Sequence, residues 1–113
     1  MSEVKSRPKT LDGQTFKVDT GCGHLYVTAN FHEDKVFEVF AKLGKSGGCS
    51  SCQLEAITRS ISIGLRAGVP LSEYVEHLMG IQCSSPTFFE GVNIKSCPDA
   101  IAGVLKNFVV KEE

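Results

Sequence analysis

The stretch LYVTANFHEDKVFEVFAKL, residues 25–43, determines the fold class that this chain predicts. Apolar and polar side chains alternate over residues 25–30, and a second alternating run follows over residues 36–43. Alternation with a period of two is typical of strands that bury one face. The polar residues 32–35 between the two runs predict a turn. The stretch therefore predicts an antiparallel β-hairpin, preceded by a short strand over residues 15–18.

A long helix is predicted after the hairpin. Ser50 and Gln53 match a capping box at its start, and Gly68 suits the left-handed conformation that often ends a helix. The apolar residues between these points recur at helical spacing and would form a buried stripe. They are Leu54, Ile57, Ile61 and Leu65. This stripe predicts a helix that covers one face of the sheet.

Two further helices are predicted in the last third of the chain. A short one spans residues 70–80, and another begins at Ser96, which can cap it, with Asp99 at the reciprocal position. Between them, residues 81–95 are predicted to be mostly loop, with a strand near residues 92–94. Phe88 and Phe89, inside this loop, could stack on a nucleic-acid base, but we interpret them as plugs at the edge of the core.

Chain length and apolar content indicate a single domain. At 113 residues the chain is too short for two ordinary domains, and 42% apolar residues are typical of a folded protein. The prediction is one α+β domain over residues 15–113. In it, a small antiparallel sheet with a β-hairpin core packs against two to three helices. The polar segment 1–14 is predicted to be a flexible N-terminal arm.

Charge and hydropathy argue against several classes of partner. Twelve basic and 13 acidic residues give a net charge of −1, without the basic stripe that nucleic-acid binding usually needs. No apolar run approaches the length of about 18 residues that suggests a membrane span, and the N-terminus is polar and charged. We therefore expect no nucleic acid, no membrane and no signal peptide, and a cytoplasmic location.

Five cysteines are the strongest chemical signal. Cys22 lies in a glycine turn, Cys49 and Cys52 form a C-x-x-C at the start of the long helix, Cys83 lies in a loop, and Cys97 begins the last helix. Helix N-termini favour the thiolate form, which is the form that binds metal. Stable disulfides are not expected in a reducing compartment. The residues leave three alternatives open: a metal site, a redox-active C-x-x-C, and buried thiols with no chemical role.

Blocks along nearly the whole chain resemble a known family. They are TGCGHLYVT (20–28), FEVF (37–40), LGKSGGC (43–49), EAI (55–57), GLRAG (64–68), GIQC (80–83) and SCPDAIA (96–102). In this order they resemble the cysteine-rich TSCPD domain, named for its Thr-Ser-Cys-Pro-Asp signature. That domain typically forms the C-terminal part of class II, adenosylcobalamin-dependent ribonucleotide reductases, and it also occurs alone. Lys95 stands here in place of the first threonine of the signature.

The resemblance implies a ligand set and a role. The recurrent cysteines of the family match Cys22, Cys49, Cys83 and Cys97, which implies a structural zinc site, with Cys52 as the odd thiol or a substitute ligand. It further implies an accessory domain that is not catalytic alone and has a ribonucleotide reductase chain as its partner. We expect no cobalamin on this chain itself, because 113 residues cannot hold the catalytic barrel and the cobalamin-binding surface.

Two other functions stay open. The loop GKSGG, residues 44–48, precedes a helix, so Lys45, Ser46, Gly47 and Gly48 could bind a phosphate or a nucleotide. This predicts a small nucleotide-binding protein. Such a protein could form a homo-oligomer that sequesters its ligand. The C-x-x-C of Cys49 and Cys52 predicts a thiol redox partner instead.

Overall fold

A computed structural model describes residues 3–44 and 48–112, except for the side chains of residues 48–50 and 110–112. Three long strands come first, then two helices, two short strands and a last helix. Their bounds are β1 (Asp12–Thr20), β2 (Gly23–His32), β3 (Lys35–Leu43), α1 (Gly48–Arg66), α2 (Leu71–Leu78), β4 (Thr87–Phe89), β5 (Val92–Ile94) and α3 (Cys97–Glu112). The first three strands form an antiparallel sheet in the order β1-β2-β3, and β4 pairs with β5. The predicted α+β class with a small antiparallel sheet is confirmed.

The hairpin that the sequence predicted is β2 and β3, which pair from Leu25 opposite Leu43 to His32 opposite Lys35. Its turn places Glu33 and Asp34 at positive φ. A bulge beside Phe31 adds one residue to β3. As a result Val36 and Phe37 are both buried, which departs from the strict alternation that the sequence suggested.

Strand β1 is longer than predicted. It covers residues 12–20 instead of 15–18 and pairs along its whole length with β2. Residues 12–14 therefore belong to the sheet and not to the predicted arm. Pairing with β2 supplies their backbone hydrogen bonds, so a segment with little strand signal of its own becomes a strand.

The cover of the sheet is shared between two helices, in line with the predicted packing of the sheet against two to three helices. Helix α3 contacts all three strands, whereas the extensive contact of α1 is with β3. The Phe108 ring of α3 lies 5.8 Å from the ring of Phe16 and 5.1 Å from that of Phe31. The predicted stripe of α1 does reach the core, because Leu54 and Ile61 are buried in the same cluster.

Helix α1 also protects the outer edge of β3. The Ser62 hydroxyl accepts a hydrogen bond from the Val39 N–H at 2.9 Å and donates one to the Val39 carbonyl at 3.0 Å. One side chain thus satisfies both backbone groups of Val39. An edge strand that would otherwise expose these groups is closed by the helix.

The ends of the helices test the capping predictions. Helix α1 begins at Gly48, two residues before the predicted cap Ser50. Its C-terminus is as predicted: Gly68 has φ +103°, its N–H bonds to the Leu65 carbonyl, and the Val69 N–H bonds to the Gly64 carbonyl. This pair of bonds is a Schellman motif. The short second helix is also confirmed.

Strands β4 and β5 form a hairpin of which the sequence predicted only the second strand. Its turn residues, Glu90 and Gly91, both have positive φ. Phe89 packs against the core, as expected, but Phe88 is 74% exposed, so its predicted role as a plug is wrong. The two residues are neighbours in a strand, and their side chains point to opposite faces.

Residues before β1 contact the domain at two points. The Arg7 guanidinium binds the Glu38 carboxylate through two hydrogen bonds of 2.9 Å. Lys5 exchanges hydrogen bonds with Arg66, through its N–H at 3.0 Å and its carbonyl at 2.8 Å. These contacts tie part of the predicted arm to β3 and to the end of α1. Within the described residues, no helix combines the length and the apolar character of a membrane span.

Candidate metal centre

Three separate elements carry the described cysteines of the predicted ligand set. Cys22 lies in the turn between β1 and β2, Cys83 in the loop after α2, and Cys97 is the first residue of α3. Cys22 is exposed, Cys83 half-buried and Cys97 buried. The predicted positions, turns and a helix start, are confirmed for these three residues.

The Ser-Cys-Pro-Asp segment fastens the Cys83 loop to the start of α3. The Ser96 hydroxyl accepts a hydrogen bond from the Asp99 N–H at 3.1 Å, as the predicted cap requires, and donates one to the Ile81 carbonyl at 2.5 Å. The Cys83 N–H donates to the Lys95 carbonyl at 3.0 Å. Cys83 and Cys97 are therefore held at one end of the domain by a hydrogen-bonded cap.

Asp99 completes this cap in a way that the sequence did not predict. A reciprocal capping box would direct its carboxylate to the Ser96 N–H. Instead, its carboxylate accepts hydrogen bonds from the Gly80 N–H at 2.8 Å and from the Lys95 N–H at 3.0 Å. Asp99 is buried, so these bonds satisfy a charge that would otherwise be costly. They also join the end of α2 to the start of α3.

The glycine turn brings Cys22 to the same end. A Cβ atom on Gly21 would lie 1.6 Å from the Ser85 carbonyl oxygen, so only glycine permits this approach of the turn to the Cys83 loop. The Thr20 hydroxyl accepts a bond from the Cys22 N–H at 3.2 Å and donates one to the Gly23 carbonyl at 2.9 Å. It also lies 3.6 Å from the Cys97 sulfur. Thr20 thus links the turn directly to α3.

Burial raises the pKa of the Cys97 thiol above its ordinary value. The contact with Thr20 opposes this shift, while the neighbouring Cys22 and Cys83 thiols raise the pKa further. The contacts of Thr20 with both Cys22 and Cys97, and the bond from the Cys83 N–H to Lys95, hold the three cysteines at one end of the domain. Three thiols grouped in this way form a soft donor set, which suits zinc or a similar metal.

The described thiols converge without forming a closed cluster. At least two of the three sulfurs are more than 4.8 Å apart. Cys52 is exposed near the start of α1. The side chain of Cys49 lies outside the described residues, so the predicted fourth ligand stays a prediction. The same holds for the anion site, since residues 45–47 and the side chains of residues 48–50 are outside the description.

Two features of this end escaped the sequence reading. The contact of Thr20 with Cys97 and the bond from the Gly80 N–H to Asp99 both join elements that are far apart in the chain. A helix-cap pattern in the sequence reveals only contacts between neighbouring residues. Elsewhere, Glu73, Glu76 and His77 bring their ligand atoms within 4.8 Å of one another on one face of α2. All three are exposed, and such clusters are common on protein surfaces without a metal.

Comparison with known proteins agrees with the resemblance in the sequence. The chain matches the TSCPD domain over residues 2–109. Vitamin B12-dependent ribonucleotide reductases of Streptantibioticus cattleyicolor and Streptomyces clavuligerus are each 32% identical to it over 96 residues, or 84% of the chain. The one from Agrobacterium fabrum is 33% identical over 75 residues, or 66% of the chain. The chain spans only 15%, 9% and 6% of the lengths of these three relatives.

No solved structure matches the chain significantly. The matched region includes all five elements that build the cysteine-bearing end: β1, β2, α2, the loop after it, and the start of α3. The Ser-Cys-Pro-Asp segment that names the family is here the cap that joins those elements. The chain belongs to the TSCPD domain family.

Proposed function

We propose that this chain is a metal-stabilised accessory domain that acts together with a B12-dependent ribonucleotide reductase and does not catalyse a reaction alone. One observation carries the proposal: a turn, a loop and a helix start place Cys22, Cys83 and Cys97 at one end of the domain. Thr20, Ser96 and Asp99 hold this end together by hydrogen bonds. Because these hydrogen bonds fix the backbone around the three thiols, they support a metal site with a structural role.

The proposed metal is zinc, with Cys22, Cys83 and Cys97 as three ligands and Cys49 as the fourth. Cys52, one helical turn further along α1, is the substitute for Cys49. Burial keeps the Cys97 thiol protonated in the metal-free protein, and a bound cation would replace that proton. Structural zinc commonly contributes about 10 kcal/mol or more to folding. In a domain with one small core, such a contribution would decide whether this end folds.

The proposed partner follows from the relatives. In the proteins named vitamin B12-dependent ribonucleotide reductase, the matching segment is a small fraction of a much longer chain. A segment of this size leaves room elsewhere in the relative for catalysis and cofactor binding. We infer that the chain supports a reductase through binding and binds no cobalamin itself.

Elemental analysis of the purified chain tests the metal site. We expect one zinc per chain, and we expect Cys22→Ser or Cys97→Ser to lose it and to lower the melting temperature sharply. Cys52→Ser is the matched control, since it removes an exposed thiol and should retain the metal. A fully folded protein without stoichiometric metal would refute the site. Loss of metal in Cys52→Ser alone would assign the fourth ligand to Cys52.

Affinity purification of the tagged chain from its native host tests the partner. We expect a ribonucleotide reductase chain to be enriched, and Cys97→Ser to reduce its recovery, because that variant loses the folded cysteine-bearing end. Cys52→Ser should recover it normally. Absence of a reductase from the purified material, together with full reductase activity in cells that lack this chain, would contradict the accessory role.

A further inference from the structure

The outer face of the three-stranded sheet carries two exposed aromatic rings and two exposed lysines. Lys17 of β1 and Lys42 of β3 lie directly opposite Tyr26 of β2, one on each side. Phe40 occupies the next row of the same face, where it is opposite Thr28. Tyr26 is 38% exposed and Phe40 is 50% exposed. We call Lys17, Tyr26, Phe40 and Lys42 the aromatic platform.

The charge on this face is unbalanced locally. Within the described residues, neither Lys17 nor Lys42 forms an ion pair. The carboxylates that border the platform are each hydrogen-bonded or ion-paired already. These pairs are Asp19 with His24, Glu38 with Arg7 and Asn30, and Glu55 with Arg59. The platform therefore presents two unpaired positive charges, although the whole chain has a net charge of −1.

A groove extends the platform toward α1. It has a volume of about 440 Å³ and lies between the outer face of β3, at Phe40 and Lys42, and the first half of α1. On the helix side, Glu55, Thr58 and Arg59 line it. The Arg59 side chain is 77% exposed and forms an ion pair with Glu55 at 2.7 Å, so the groove side adds no net positive charge. The platform and the groove share Phe40 and Lys42 and so form one continuous surface.

We propose that the aromatic platform binds single-stranded nucleic acid. Bases stack on exposed aromatic side chains of open sheets, and cations beside those rings neutralise the phosphates. Tyr26 and Phe40 occupy diagonal positions on adjacent strands, which are about 7–8 Å apart at their Cα atoms, so each ring can hold its own base.

The arrangement of the lysines favours a strand over a free nucleotide. A base within a strand has a phosphate on each side, and Tyr26 has a lysine on each side. A free nucleotide carries its phosphates on one side only and would leave one lysine unused. Stacking on one open ring contributes only about 1–3 kcal/mol per base, so measurable affinity needs more than one nucleotide. The low net charge of the chain, from which the sequence predicted no nucleic acid, does not reveal this local grouping.

Fluorescence anisotropy with the full chain and a labelled single-stranded oligothymidylate of about 12 nucleotides tests the proposal. We expect saturable binding that weakens with salt, with a slope of log K against log salt of about −1.4, since each neutralised phosphate contributes about −0.7 on a single strand. Tyr26→Ala and Phe40→Ala should each weaken binding by at least about 5-fold, whereas Tyr26→Phe should retain it. Lys17→Glu should abolish it at moderate salt.

Phe88→Ala is the control, because Phe88 is exposed but lies on a different sheet. It should bind like the unaltered chain, and circular dichroism should show that all variants stay folded. Three outcomes would overturn the proposal: no binding, equal binding by Tyr26→Ala, or competition by free thymidine triphosphate at the same concentration as by the oligomer. None of the four platform residues is a proposed metal ligand, so metal content and nucleic-acid binding are measured at different side chains. Failure of nucleic-acid binding would therefore leave the metal measurements unaffected, and the reverse also holds.

Discussion

At the scale of single residues, Glu38 shows how a charge is kept in the interior. Its side chain is 5% exposed, and it accepts hydrogen bonds from Arg7 and from the Asn30 amide at 2.7 Å. Burial alone would raise the pKa of Glu38, but the bonds from Arg7 and Asn30 and the charge of Arg66 outweigh burial, so its pKa lies below the ordinary value of 4.5. The folded state thus favours the ionised carboxylate.

This lowered pKa predicts a loss of stability in acid. A carboxylate that is more acidic in the folded state contributes stability above its unfolded pKa, and this contribution disappears as the pH falls through the folded pKa. We expect the urea midpoint of Glu38→Gln to be lower than that of the unaltered chain near pH 7. The difference should shrink below pH 4.5. Glu33→Gln, which changes an exposed carboxylate, is the control. A difference that stays constant in acid would contradict the role of ionised Glu38.

At the scale of elements, α1 has a buried face and an exposed face, and one substitution on each face can show which of them supports the fold. Ile61 is 2% exposed and packs in the core, whereas Ile63, two residues later on the same helix, is 54% exposed. Residues two apart on a helix do not share a face. The core of this domain therefore depends on the side of α1 that the predicted stripe identified.

Ile61→Asp should unfold the domain or cause aggregation, because it places an unpaired charge in the core. The milder Ile61→Ala should cost about 2–5 kcal/mol of unfolding free energy. Ile63→Asp introduces the same side chain on the exposed face and should have little effect. Urea denaturation of soluble variants measures the difference. Soluble, cooperatively unfolding Ile61→Asp would disprove this packing of α1 on β3.

At the scale of the whole molecule, the N-terminal segment connects parts that are distant in sequence. Arg7 binds β3 through Glu38, and Lys5 binds the end of α1 through Arg66. Arg66 also lies over the Phe37 ring, 5.7 Å from its centre. The segment thus bridges β3 and the C-terminal end of α1.

Deletion of residues 1–9 should lower the melting temperature, because it leaves the buried Glu38 carboxylate without its cationic partner. The deletion should also remove most of the dependence of stability on acid that Glu38 causes. Deletion of residues 1–3 keeps Lys5 and Arg7 and serves as the control. If both deletions melt like the full chain, the segment is the independent arm that the sequence suggested.

The sequence by itself determined the elements whose signals are local. The hairpin of β2 and β3, the stripe and Schellman end of α1, and the cap at Ser96 follow from periodicity and from the backbone needs of nearby residues. The sequence also identified the family, because the blocks that resemble it are short and occur in the family's order. These features require no knowledge of which elements meet in space.

Only the tertiary structure decided how the elements meet. The sharing of the sheet between α1 and α3 depends on packing, as does the closing of the β3 edge by Ser62. The contact between Thr20 and Cys97 joins residues 77 positions apart. The carboxylate of Asp99 binds the N–H groups of Gly80 and Lys95 instead of the Ser96 N–H that a capping box suggests. Likewise, the aromatic platform exists only through strand register, which sets Lys17 and Lys42 on either side of Tyr26. Local sequence specifies what each segment prefers, while contacts between distant segments are selected by the burial and hydrogen bonding of the whole domain.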